Sequence, residues 1–144
     1  MTEDEKVDGP KIAAQILSRM PSSHREKLMK AIALSDPNAA KKIATNIVTF
    51  DDIAELTSQS IQVLIKEVDH YDLVVSLKLA KENVKAALFA NMSARKKQVV
   101  EEDFTTLPPK KISEVEEAQK RITSKMDQLK TAGLIRSSAD EEMV

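Results

Sequence analysis

Apolar residues recur three and four positions apart along most of the chain, and prolines and polar caps interrupt that rhythm at short intervals. This is the helical period, and no segment sustains the alternation of a strand. The first predicted helix begins near Pro10, with Ile12, Ile16, Leu17 and Met20 on one face, and Pro21 stops it. The second opens at Ser22 or Ser23, where Ser23-x-x-Glu26 reads as a capping box. Its inward stripe is expected to be Leu28 and Ile32, with Met29 beside them. Asp36-Pro37 is a cap followed by proline at the first helical position, and Ala40, Ile43 and Ile47 continue from it.

Asp51-Asp52 opens a short helical turn through Leu56. Four further stripes follow, each behind polar capping residues. They are Ile61/Leu64/Ile65/Val68, Leu73/Val74/Leu77, Val84/Ala87/Leu88 and Val99/Val100/Phe104, the last behind Ser93. Only the brief Leu73–Val75 run has strand character, and helix signals flank it. Leu107-Pro108-Pro109 is a hard break. Ser113 with Glu116 forms a second predicted capping box, opening a long helix along Val115, Ala118, Ile122, Met126 and Leu129. Gly133 sits where a left-handed C-terminal cap belongs.

Composition narrows the function. The 144 residues include two glycines, no cysteine and four aromatics (Phe50, Tyr71, Phe89 and Phe104). That removes glycine-rich phosphate loops, tight hairpins, disulfides and thiolate chemistry. No apolar run approaches the roughly 20 residues that cross a bilayer, and the start lacks the apolar stretch of a signal peptide. A soluble, cytosolic protein is the expectation.

A net charge of −1 conceals segregation. Residues 1–8 and 137–144 each carry −3 and read as disordered acidic tails. Residues 9–50 carry +5, whereas 51–136 are balanced at 14 charges of each sign. The basic segment raises a helix-turn-helix regulator as an alternative, with Lys11, Arg19, Arg25, Lys27, Lys30, Lys41 and Lys42 as its cations. No aromatic residue interleaves them, as stacking on bases would require.

Catalytic machinery is thin. His24 and His70 are read as solvated histidines at helix starts. His70 with Asp69 and Asp72 only weakly imitates a metal site, which wants three or four ligands in the right geometry. The serines read as caps. Glu101, Glu102 and Asp103 are consecutive and so point to different sides of a helix. No cofactor, metal or enzymatic activity is expected. One feature is unusual: the helix after Ser93 begins basic, with Arg95, and ends acidic, with Glu102 and Asp103. That order opposes the helix dipole. Arg95 and Glu102, seven apart, lie about 20° apart in projection.

Several stretches together resemble one family. They are Phe50-Asp51-Asp52-Ile53, Ser60-Ile61-Gln62, Lys66-Glu67-Val68-Asp69, Leu77-Lys78, Asn91-Met92-Ser93-x-Arg95, Glu102-Asp103 and Val115-Glu116-x-Ala118-Gln119-Lys120. In order and spacing, from about Gly9 to Ile135, the chain resembles the C-terminal region of the FliG flagellar motor switch family. The resemblance implies an all-α fold: an armadillo-like right-handed helical repeat (9–46), a short hinge (47–50) and a six-helix torque subdomain (51–136). The family's hinge reads Met-Phe-x-Phe; here it is Ile47, Val48, Thr49 and Phe50.

The resemblance further implies that Lys78, Arg95, Glu102, Asp103 and Lys111 form a charged face toward the stator, with the family's signs kept at each position. The family's Gly-Pro before the last of these is Pro108-Pro109 here. Implied partners are the cytoplasmic loop of the stator protein MotA, the switch protein FliM and neighbouring FliG-type subunits, with no nucleic acid and no membrane insertion. The implied location is the cytoplasmic face of the inner membrane, in the flagellar basal body. The family's N-terminal domain, which joins FliF, and its middle repeat with Glu-His-Pro-Gln have no counterpart in these residues. The expectation is therefore either a piece of a longer FliG or a short relative. The alternative function is an adaptor that modulates switch assembly without torque.

Overall fold

A computed structural model describes residues 8–138; residues 1–7 and 139–144 lie outside that description, and with them most of both acidic tails. Among the described residues the chain is all-α, with no strand and one isolated antiparallel bridge between Leu56 and Ser137. It divides into two compact units, one ending at Val48 and the other beginning at Thr49.

The first unit holds α1 (Gly9–Ser18), α2 (Ser22–Ser35) and α3 (Pro37–Asn46). Asp8 caps α1 by accepting from Lys11 N, and Asp36 caps α3 by accepting from Ala39 N. Both α1 and α2 pack on α3, around a small core of Ala14, Leu17 and Ile43 with Met20, Met29, Ile32 and Ile47 against it. Two expectations fail here. Pro21, not a serine, occupies the cap position of α2, and no side chain caps that helix, so the Ser23–Glu26 box does not form. Ile12, Ile16 and Leu28 were expected to turn inward with Leu17 and Ile32, yet they are exposed, as is Leu34 at 88%. Three helices cover one side of each other only, and among the described residues of the unit the remaining apolar side of α1 and α2 stays exposed.

The segment 47–50 divides between the units. Ile47 packs on the first core, and Val48 is buried, its N–H donating to Ser18 Oγ at 3.3 Å. Thr49 belongs to a capping box with Asp52, whose carboxylate accepts from Thr49 N at 2.9 Å. Phe50, buried, opens the 3-10 helix Phe50–Glu55.

That 3-10 helix begins the second unit. It is followed by α4 (Ser58–Glu67), α5 (His70–Ser76) with a 3-10 extension Leu77–Leu79, α6 (Glu82–Ala90), α7 (Ala94–Thr106) and α8 (Ile112–Thr131). The expected six helices are these five α-helices and the opening 3-10 turn. The centre is α5. Every residue from Asp72 to Leu77 is buried, which explains the strand-like Leu73–Val75 run: consecutive buried positions in a helix can all be apolar. Both α7 and α8 pack against it. Ile53, Leu64, Val84, Leu88, Val100, Ile122 and Met126 complete the core.

Polar groups inside this core are satisfied. Asp72 is buried and takes a two-pronged contact from Arg121, Nε to Oδ2 at 3.0 Å and Nη2 to Oδ1 at 2.9 Å. That hydrogen bond raises the Arg121 pKa from its ordinary value. Gln119 donates to the Ser76 carbonyl at 3.0 Å, tying α8 to the end of α5. The chain then closes on itself. Arg136 N donates to Ser60 Oγ at 2.8 Å, and Thr57 N donates to the Arg136 carbonyl at 3.2 Å.

Helix ends follow the sequence in part. Thr57, Asp69 and Ser93 cap α4, α5 and α7 through their side chains. The second predicted box does not form: α8 starts at Ile112 behind Lys111, without a side-chain cap, and Ser113 falls inside the helix. Gly133 has φ of +76°. Its N–H reaches the Lys130 carbonyl and Leu134 N reaches Leu129, the paired bonds of a left-handed terminus.

Two stability predictions follow from these contacts. Gly133→Ala meets no steric obstacle but must hold a positive φ, so it should cost about 1 kcal/mol in chemical denaturation. Arg121→Ala leaves the Asp72 carboxylate buried and unpaired; the expected loss is about 2 kcal/mol, kept low because Arg121 is half in water.

Candidate functional site

The five charges expected to form a face come from three segments of the second unit: the end of α5, the length of α7 and the start of α8. Lys78 lies in the 3-10 extension of α5, half-buried between buried Leu77 and exposed Leu79. Arg95, Glu102, Asp103 and Lys111 are exposed. None of the five is interior.

The corner before α7 sets the start of that helix. Asn91 Nδ2 donates to the Ala87 carbonyl at 2.7 Å, closing α6, and Ser93 Oγ accepts from Lys96 N at 3.1 Å, opening α7. The Asn-Met-Ser-x-Arg motif is thus a helix–corner–helix device that places Arg95 in the first turn. Buried Val100 and half-buried Phe104 define the inward side of α7. At 100° per residue, Arg95 and Glu102 point about 140–160° away from Val100, out to solvent. Gln98 Nε2 donates to Glu102 Oε1 at 3.3 Å across this outer side. Asp103 is only about 60° from Val100 and sits on the shoulder facing α5.

There the structure departs from a freely solvated charge. Asp103 Oδ2 is 2.6 Å from His70 Nε2, and His70 Nδ1 is 3.3 Å from Lys96 Nζ. His70, read from sequence as a solvated helix-start histidine, is instead held between two residues of α7. Its neighbours Asp69 and Asp72 are engaged elsewhere, in the cap of α5 and with Arg121. No group of three or more potential metal ligands gathers among the described residues. Lys96 and Asp103 are seven apart, hence on one stripe of α7, but nothing in the sequence says that α5 lies across that stripe.

The loop 107–111 is anchored as well as stiffened. Leu107 packs on the buried cluster Val75, Val115 and Ala118, and the two prolines fix their own φ angles. Lys110 then lies with Nζ 5.5 Å from the centre of the Tyr71 ring. The Lys111 carbonyl accepts from Glu114 N and Val115 N at the start of α8. Both cations are therefore placed by backbone and ring contacts.

Residues 30–136, which include the whole of this site, match the family described as the FliG C-terminal domain. The chain belongs to the FliG C-terminal domain family. It is 32% identical over 141 residues to the flagellar motor switch protein FliG of Thermotoga maritima, covering 96% of this chain and 42% of that protein. It is likewise 32% identical over 130 residues to the FliG of Bacillus subtilis, covering 90% and 38%. Solved FliG structures agree. Residues 86–343 of the H. pylori protein superpose with a TM-score of 0.68 at 28% identity, covering 92% of this chain and 63% of that one. Full-length FliG from Aquifex aeolicus gives 0.60 at 31% identity, covering 89% and 40%. The chain spans about two-fifths of the length of the FliG relatives it matches. No helix among the described residues is long and apolar enough to cross a membrane.

Within this FliG-family unit, the Ser93 side chain caps the first turn of α7, which carries three cations, Arg95, Lys96 and Lys97, at its unfavourable dipole end. Ser93→Ala should therefore cost about 1 kcal/mol and speed amide hydrogen exchange over residues 94–97 ahead of the rest of α7.

Proposed function

We propose that the chain is a rotor component of a bacterial flagellar motor, a non-catalytic FliG C-terminal module that works at the cytoplasmic face of the inner membrane. Its ridge of Lys78, Arg95, Glu102, Asp103 and Lys111 meets the cytoplasmic loop of the stator protein MotA, generates torque and takes part in switching. The observation that carries this reading is the order of charge along α7: Arg95 and Lys97 at its start and Glu101 and Glu102 near its end are exposed, against the helix dipole, with Lys96 and Asp103 joined through His70 and Val100 buried between the two ends. A surface selected only for stability would run the other way.

Weak contacts suit the task. An exposed ion pair contributes about 0–1 kcal/mol and is screened beyond roughly 8 Å at physiological salt. Such pairs steer a passing partner and release it quickly, as a rotor sliding past a stator requires. A second contact class is proposed for the first unit. Ile12, Ile16, Leu28 and Leu34 are exposed apolar residues that fit stacking on a neighbouring FliG-type subunit, as helical repeats stack. The switch protein FliM belongs to the same assembly. The residues 9–46, 47–50 and 51–136 then act as repeat, hinge and torque subdomain, with Ile47, Val48, Thr49 and Phe50 as the hinge.

The test is rotation in a flagellated bacterium whose own FliG carries this chain in place of its C-terminal region. Arg95→Glu or Asp103→Lys alone should slow swimming, because each removes or inverts one weak contact. Reversal of several ridge charges together should stop it. Full motility after reversal of all five would remove the proposal.

A further inference from the structure

The second acid of the ridge is not a free carboxylate. His70 stands between Asp103 and Lys96 at 2.6 and 3.3 Å, with the His70 and Asp103 side chains 38% and 51% exposed. Lys96, as an ammonium, can only donate, so Nδ1 must be the unprotonated nitrogen and the proton must sit on Nε2, donating to Asp103. The contacts thus select one neutral tautomer.

We propose that His70 is the positioning residue of the ridge's acidic end, and that it makes this end proton-sensitive; the inference rests on the ridge reading above. With the ring neutral, the Nε2–H orients Asp103 and leaves the carboxylate its full charge for a guanidinium or ammonium of a partner. With the ring protonated, Asp103 is neutralised by an adjacent imidazolium, and the new Nδ1–H opposes the Lys96 ammonium, which must swing away. Glu102, on the outer side of α7, keeps its charge in both states. The acidic end then passes from two available carboxylates to one on acidification.

Among the described residues, the neighbouring charges other than Lys96 and Asp103 are engaged elsewhere. On its own helix, Asp69 caps the first turn and Asp72 holds Arg121. From the α8 side, Arg121 is taken by Asp72 and Lys110 lies over Tyr71. Across α7, Lys96 and Asp103 are the two groups in contact, while Lys97 lies 5.9 Å from the centre of the Phe89 ring.

The experiment is ring-nitrogen and side-chain carbon NMR on the purified chain, with His24→Gln assigning the two histidines. At pH 8, His70 should be the Nε2–H tautomer; Lys96→Met should weaken that preference, and Asp103→Ala should shift the Nε2 signal by removing its acceptor. On acidification to pH 6, the Asp103 carboxyl and Lys96 Cε signals should move in the same step as the ring, and His70→Gln should remove the step from both. An Nδ1–H tautomer, a spectrum unchanged by Asp103→Ala, or Asp103 and Lys96 signals that ignore the ring would overturn the proposal. Binding of a hexa-arginine peptide reads the consequence: several-fold weaker at pH 6 than at pH 8 for the chain, and equal at the two values for His70→Gln. The same ratio in both proteins overturns the proton-sensitive part. Failure of the peptide to bind at either pH, with the NMR steps intact, counts against the ridge reading and leaves the hold of His70 on Asp103 standing.

Discussion

A short helix whose residues are buried one after another has to be covered by its neighbours, and α5 imposes that requirement on the second unit. Its residues from Asp72 to Leu77 are buried, so α7 and α8 must lie against it. Once they do, the rotation of each about its own axis is set by Val100 on α7 and by Val115, Ala118 and Ile122 on α8. The charges on their outer sides inherit that rotation. Arg95 and Glu102 point outward because Val100 points inward, and Asp103 reaches His70 because both flank the same contact. Rigidity of the charged surface is thus a by-product of hydrophobic burial, not of the charges themselves.

Polar contacts sharpen this arrangement where burial alone would be ambiguous. The fork of Arg121 onto Asp72 and the amide of Gln119 on the Ser76 carbonyl fix α8 along α5. Asn91 and Ser93 fix the corner into α7, and Leu107 with two prolines fixes the loop into α8. Asn91, Ser93 and Gln119 belong to two of the seven stretches that resemble FliG. Several of the most specific letters of the family signature therefore serve the placement of the ridge, not contact with a partner. The five charges themselves make few bonds; Asp103 to His70 and Glu102 to Gln98 are the side-chain contacts among them.

Much of this was legible in the sequence, for identifiable reasons. Proline and side-chain caps are local, so Asp36 and Ser93 appear where the chain announces them. The two capping boxes failed because Pro21 and Lys111 preceded the serines and began the helices earlier, leaving Ser23 and Ser113 inside the first turn. Periodicity told that α1 and α2 are amphipathic but not which apolar stripe has a partner, so Ile12, Ile16 and Leu28 were assigned inward. The bridge through His70 was invisible because it joins residues 26 and 33 positions apart, across a packing contact no local pattern encodes. The five charges came from resemblance to a family. What the fold adds is that each keeps access to water.

If the surface works by weak charge contacts on a fixed platform, its association with the stator's cytoplasmic loop must depend on ionic strength. The direct measurement is the affinity of the second unit's ridge for that loop, on the intact chain, between about 50 and 300 mM salt, a range over which the screening length falls from about 14 to 6 Å. The account predicts a steep loss of affinity with salt, carried by the association rate and diminished by reversal of Arg95 and Glu102. Affinity that is flat across the range, or that strengthens with salt as an apolar interface would, contradicts it.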